Sequence, residues 1–216
     1  MKPTRTKAAL AGTALVATAI TTAATLPGAT ASSSSGTKWH HNHARLLPLN
    51  SSGAVGHSHV KSHARWLKVE VDAKGLTKGV PHAMHIHFGK DARHECPTIA
   101  DDANGDFRLT TVDGLPAYGP VRVSLTKTGP TGPGSILAVD RFPTAPKGEI
   151  HYFRTTKTTK GVARAIRRGN AVVVVHGVDY NGNGTYDAGS AGMSELDPTL
   201  PAEATDPALC GRLRKG

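Results

Sequence analysis

Between Leu67 and Asp72 the chain alternates without a break: Leu67, Val69 and Val71 are apolar, while Lys68, Glu70 and Asp72 are charged. Side chains two apart share one face of an extended strand, so this pattern is a half-buried β-strand and cannot be an amphipathic helix. Other short apolar runs follow at Val121–Leu125, Ile136–Val139, Ile150–Thr155 and Ala171–Val175, separated by turns rich in Gly, Pro and Asn. No long stretch has helical periodicity, and only a short helix is expected, at 162–167. The chain is therefore expected to be all-β, an antiparallel Greek-key sandwich or barrel with long loops.

The N-terminus reads as an export leader. Lys2, Arg5 and Lys7 precede a small apolar run, and Ala29-Thr30-Ala31 has the small-x-small pattern that export peptidases cut. The run is too short and too weakly apolar to span a bilayer, so the expectation is a secreted protein cleaved after Ala31, with no stable membrane insertion. Residues 32–50 begin Ser-rich and continue through His40, His41 and His43 with no regular period. They read as a flexible arm whose histidines can capture copper or zinc loosely. Residues 51–216 are expected to form one β domain.

Removing the leader cations leaves a net charge of +7. The densest basic stretch, Lys157, Lys160, Arg164, Arg167 and Arg168, contains no aromatic residue, so it reads as a solvated face and no nucleic-acid partner is expected. Cys96 and Cys210 are the only cysteines. An oxidising compartment favours pairing them, which would close a 114-residue loop; two buried free thiols are the alternative.

The chemistry concentrates on histidine. His85 and His87 flank Ile86 in an extended segment, so both imidazoles point to one side with α-carbons roughly 6.5 Å apart, close enough to share an ion. Imidazole favours copper or zinc over magnesium or calcium. His176 ends the Ala171–Val175 run, where a buried strand delivers its last side chain to the rim of the core. His94 and His151 are candidates for a fourth ligand. His57, His59 and His63 alternate along an early segment and read as exposed strand positions. No serine or cysteine nucleophile with a plausible partner is present, so a hydrolase is not expected.

Oxygen donors recur in two loops. Asp179, Asn181, Asn183 and Asp187 occupy positions one, three, five and nine of an EF-hand-type calcium loop, with Gly184 at six and Ser190 in place of the closing glutamate. Asp102, Asn104, Asp106 and Asp113 repeat the spacing, but Phe107 stands where glycine should turn the chain.

The segment Lys74–His87, KGLTKGVPHAMHIH, resembles the KGLTEGLHGFHVH stretch of Cu/Zn superoxide dismutases, with one residue inserted at Pro81. Val174-Val175-His176 is similar to that family's VVH, and Cys210-Gly211 to its closing CG. Cys96 follows His87 at the family's interval. The resemblance spans roughly residues 51–212. It implies a Cu/Zn superoxide dismutase-like fold, copper on His85, His87 and His176, His82 supporting them from behind, and a Cys96–Cys210 disulfide. Superoxide or metal ions would be the partners. The departures are equally definite. Asp102 stands where the metal-bridging histidine belongs, the zinc loop has no counterpart, and Pro207 replaces the guiding arginine, with Arg212 displaced nearby. Zinc in its usual place is therefore not expected. The secreted chordin-type (CHRD) β-domains, which also carry an HIH segment, offer a non-catalytic alternative: a binding or cell-surface module stabilised by the disulfide and by calcium.

Overall fold

The computed structural model describes residues 38–216; the leader, residues 1–31, and residues 32–37 of the expected arm lie outside the described residues. The expected all-β architecture is what the chain adopts. Strands β1 (His40–Pro48), β2 (Val55–His63), β3 (Trp66–Lys74), β4 (Met84–His87), β5 (Val121–Ser124), β6 (Glu149–Lys157), β7 (Val172–His176), β8 (Pro207–Arg212) and β9 (Arg214–Lys215) are joined by three helices. These are α1 (Thr111–Tyr118), α2 (Lys160–Arg168) and α3 (Ala202–Thr205). The sheet runs β5, β4, β7, β8, β1, β2, β3, β6, with β9 beside β1. Every pairing is antiparallel.

The sheet curls into a half-barrel, and the connections from β3 to β4, from β5 to β6 and from β6 to β7 cross from one end of the strand order to the other. Side chains of the end strand β6 reach the loop that follows β5, the strand at the other end. The Tyr152 hydroxyl donates to the Thr126 carbonyl at 3.2 Å, Arg154 donates to the Thr126 hydroxyl at 2.7 Å, and the hydroxyls of Thr131 and Thr156 meet at 2.7 Å.

Alternation sorts the core. Leu67, Val69 and Val71 of β3 join Leu46, Val60, Ile86, Val123, Val173 and Val175 inside the curl. Helix α2 closes one end of this core with Val162 and Ile166. It starts at Thr159, whose hydroxyl accepts from Val162 N at 3.2 Å, and stops at Gly169, whose left-handed φ of 78° ends the helix without a Cβ clash. Strands β4 and β7 are buried on both faces. Their outer face carries a second apolar cluster, in which Val172, Val174 and Cys210 pack with Tyr118 at the end of α1.

Three expectations are corrected. Besides the helix expected at 162–167, the chain forms α1 and α3. The stretch read as a flexible arm contains β1, an interior strand paired with β2 on one side and β8 on the other. Its inward residues are Asn42, Ala44 and Leu46, and the polar Asn42 conceals the alternation. Ile136–Val139 is not a strand. Pro133 begins a 3-10 turn there, a second follows at Val139–Arg141, and the apolar side chains between them line a chamber instead of a ladder.

Cys96 and Cys210 form the disulfide, with α-carbons 5.7 Å apart. Cys210 lies directly across from Val174, and Val174 across from His85, so the bridge fastens the loop after β4 onto the strand row that carries the histidines. In the chain-entropy picture a loop of this length contributes about 4 to 5 kcal/mol. A Cys96→Ser, Cys210→Ser double variant is expected to lose about 4 kcal/mol of unfolding free energy in urea titrations; unchanged stability would show that the bridge leaves the unfolded chain unconstrained.

Candidate metal centre

His85 and His87 project from the outer face of β4, since Met84 and Ile86 take the inner one. His176 projects from the same side of β7, in phase with Val172 and Val174. All three are buried, and each offers a ring nitrogen within 4.8 Å of the other two. Among the described residues this is the one group of three or more histidine, cysteine or acidic side chains that converges in this way.

The second nitrogen of each ring explains the convergence. His85 Nε2 meets the carbonyl of Ile136 at 3.2 Å, His87 Nδ1 that of Gly119 at 2.8 Å, and His176 Nδ1 that of Thr205 at 2.6 Å. A carbonyl only accepts, so the single proton of each neutral ring sits on that nitrogen. The lone pairs are thereby left on His85 Nδ1, His87 Nε2 and His176 Nε2. Those three atoms are buried and have no hydrogen-bond partner. Orphaned buried acceptors are costly, and a shared metal ion is the partner that would satisfy all three together. Imidazole nitrogens hold such an ion at about 2.0–2.1 Å, so the three rings would have to draw closer together than this spacing to share one. The donor set fits copper, zinc or another late first-row ion and not an oxygen-seeking one.

Three different loops supply the carbonyls. Ile136 ends a 3-10 turn, Gly119 caps α1, and Thr205 closes α3. The Thr205 carbonyl also accepts the Thr111 hydroxyl at 2.6 Å, which ties α1 to α3. Helix α1 is fixed at its start by a capping box between Thr110 and Asp113. At its end the Tyr118 ring lies 4.4 Å from His87. Gly119 has φ 79°, and a Cβ there would fall 2.4 Å from Gly89 N. Only glycine lets this carbonyl reach His87.

Burial keeps the rings neutral. Desolvation, together with the neighbouring imidazoles of His176 and His87, holds His85 well below the ordinary imidazole value of 6.5. Desolvation and His176 lower His87 to about 3, and desolvation lowers His176 to about 4. His82 is fully buried behind the site; its Nδ1 lies 2.9 Å from the carbonyl of His176 and its Nε2 3.0 Å from that of Thr77. It braces the backbone of His176 rather than its ring.

In front of His85 and His176 opens a chamber of about 50 Å³, room for a few atoms. Its walls include Ile136, Leu137, Phe142, Leu196 and Leu200, and no charged residue lines it. Phe142 meets His85 edge-on at 5.3 Å.

The remaining candidates lie elsewhere. His94 bonds the Gly89 carbonyl and stacks on Phe88, while His151 bonds Asp72 on the exposed face of β6, so neither serves as a fourth ligand. His57, His59 and His63 stand on the solvent side of β2. Asp102 accepts from Gly105 N and Phe107 N of its own loop. Asp179 likewise accepts from Gly182, Asn183 and Gly184, and Asp187 from the side chains of Asn181 and Asn183. The buried Glu203 closes that loop by accepting from Tyr180 N, Asp187 N and the Ser190 hydroxyl. Sequence reasoning missed Glu203 and the three carbonyls, which carry no side-chain signal. No protein family matches this chain, and no curated protein is significantly similar to it.

Two outcomes are expected. Gly119→Ala should cost roughly 1–3 kcal/mol through backbone strain and weaken metal binding by displacing the acceptor for His87; wild-type copper affinity in the folded variant would contradict that role. For the metal-free protein, unfolding releases imidazoles that take up protons between about pH 4 and 6.5, so stability should fall as pH drops through that range. Asp206 opposes this. Burial raises its carboxyl to about 7 in the fold, so it releases a proton on unfolding above pH 3.8, but the several depressed histidines outnumber it. Urea midpoints should be lower at pH 4.5 than at pH 7; equal midpoints would mean that the rings are not buried as neutral groups.

Proposed function

We propose that this chain is an exported copper-binding protein of the Cu/Zn superoxide dismutase-like kind, with His85, His87 and His176 as the copper ligands. The observation that carries the reading is the set of three unsatisfied, convergent ring nitrogens, each left free by a carbonyl bond on the opposite side of its ring. Three neutral imidazoles suit both oxidation states of copper, and their low proton affinity means that few protons compete for the site near neutral pH. Bound copper would supply one-electron redox chemistry at an open position, which superoxide dismutation requires.

The residues of the chain set the conditions for that chemistry. The carbonyls of Ile136, Gly119 and Thr205 hold the rings in orientation and in tautomer, as outer partners of metal-bound histidines do. Phe142, Leu137 and Leu196 keep the approach to His85 dry and narrow. Zinc at the family's second position has no support, because Asp102 is committed to its own loop.

A second reading is favoured by the chamber itself. Its lining carries no cation, and Pro207, where the family's guiding arginine belongs, is buried at the start of β8. An anionic substrate is therefore not drawn in at close range, which suits a secreted β-domain that holds copper without turning superoxide over.

Copper titration separates these readings. Stoichiometric copper is expected in the wild type and none in a His85→Ala, His87→Ala variant. Thermal stability of the wild type should rise by about 4 kcal/mol at a thousandfold excess of free metal over Kd. Dismutation by the copper form, abolished in the variant, supports the enzyme. Bound copper without activity supports the second reading, and failure to bind copper or zinc overturns both.

A further inference from the structure

Charge is segregated along this molecule. Strands β1, β2, β8 and β9 and helix α2 contain no aspartate or glutamate. Around α2 two open depressions adjoin and share Arg164 and Arg167. One is lined also by Lys38, Arg168 and Lys215, with Trp39 and the imidazoles of His40, His41, His43 and His59. The other is lined also by Arg65, Lys157 and Lys160, with Trp66. Together they present eight cations and no acidic side chain.

None of these eight takes part in an ion pair, since every pair among the described residues uses Asp72, Glu95, Asp101, Asp106 or Asp206. Residues 1–37 contain no acidic residue that could neutralise them either. Several are held in position. Arg167 donates to the Ala64 carbonyl at 3.3 Å and Arg65 to the Thr158 carbonyl at 2.9 Å. The Lys157 ammonium sits 4.4 Å above the Trp66 ring, and that of Lys68, next to the strip, 4.9 Å above Trp39. Glu70, across from His59, is the acidic neighbour at the edge of the strip; an excess of eight cations still raises the local concentration of polyanions and repels cations.

We infer that this strip, running from Lys38 and Lys215 across Arg164 and Arg167 to Lys157, binds an anionic polysaccharide carrying sulfate or carboxylate groups. Guanidinium groups fork onto such oxyanions in pairs. Single-stranded nucleic acid fits less well. It needs open aromatic faces on which bases stack, and both tryptophans of the strip carry a lysine ammonium over the ring. The inference is independent of the metal centre, whose three ligands line neither depression.

The test uses the whole exported chain with heparin and polygalacturonate as probes, a mixed-sequence DNA duplex and single strand as competitors, and calorimetry at two salt concentrations. Wild-type protein should bind a polysaccharide probe more weakly at the higher salt. An Arg164→Ser, Arg167→Ser, Arg168→Ser variant should lose about tenfold or more in affinity while keeping the wild-type circular dichroism spectrum. A control with the same charge change away from the strip, Lys74→Ser, Lys78→Ser, Lys147→Ser, should retain binding. Equal losses in both variants would reduce the effect to net charge and overturn the inference, as would absence of polysaccharide binding or tighter binding to DNA. If the arginine variant unfolds, Lys157→Ser with Lys215→Ser, both exposed, replaces it with the same expectation.

Discussion

Three imidazoles can be buried side by side only if each finds an acceptor for its one proton and all three lone pairs find a common use. Much of the structure around β4 and β7 serves this requirement. The acceptors are the carbonyls of Ile136, Gly119 and Thr205, and each comes from a segment that has no place in the sheet. The long loops are therefore part of the site, because without them the rings would be free to choose the other tautomer or to turn to water. The barrel supplies the complementary part. Its antiparallel register puts His85, Val174 and Cys210 in one row, so that the disulfide, the strand pairing and the ligand positions constrain one another.

Much of this could be read from residue order. The alternation at Leu67–Asp72 and the apolar run into His176 mark strands because one face or both must leave water, and the HIH spacing places two rings on one side. The cysteine pair was favoured by its number and the expected oxidising compartment, with free thiols as the alternative, and the disulfide decides between them. Other elements were hidden for definite reasons. Strand β1 places polar Asn42 at an inward position and histidines at outward ones, so its pattern does not read as apolar against charged. Helix α1 contains both Gly114 and Pro116, two residues that normally argue against a helix; its capping box and the packing of Tyr118 outweigh them. Carbonyl groups are common to every residue, so no sequence pattern announces which of them will meet a histidine.

The surface divides as sharply as the interior. Acidic side chains collect in the loops at the end that carries the three histidines, where Asp179, Asp187, Glu203 and Asp206 fold the segments after β7 through hydrogen bonds from nearby amides and hydroxyls. Strands β1, β2, β8 and β9 and helix α2 carry cations and no acidic residue. One fold thus presents an apolar, uncharged chamber over its ligands and a strongly basic strip elsewhere, two environments suited to very different partners.

The dependence of the three rings on three separate loops also orders events in the life of the molecule. An unfolded chain has its histidines but not the carbonyls that select their tautomers, and so lacks the three convergent lone pairs. The centre comes into being with the last loop to dock. An ion held by all three nitrogens is therefore one taken up by the folded chain.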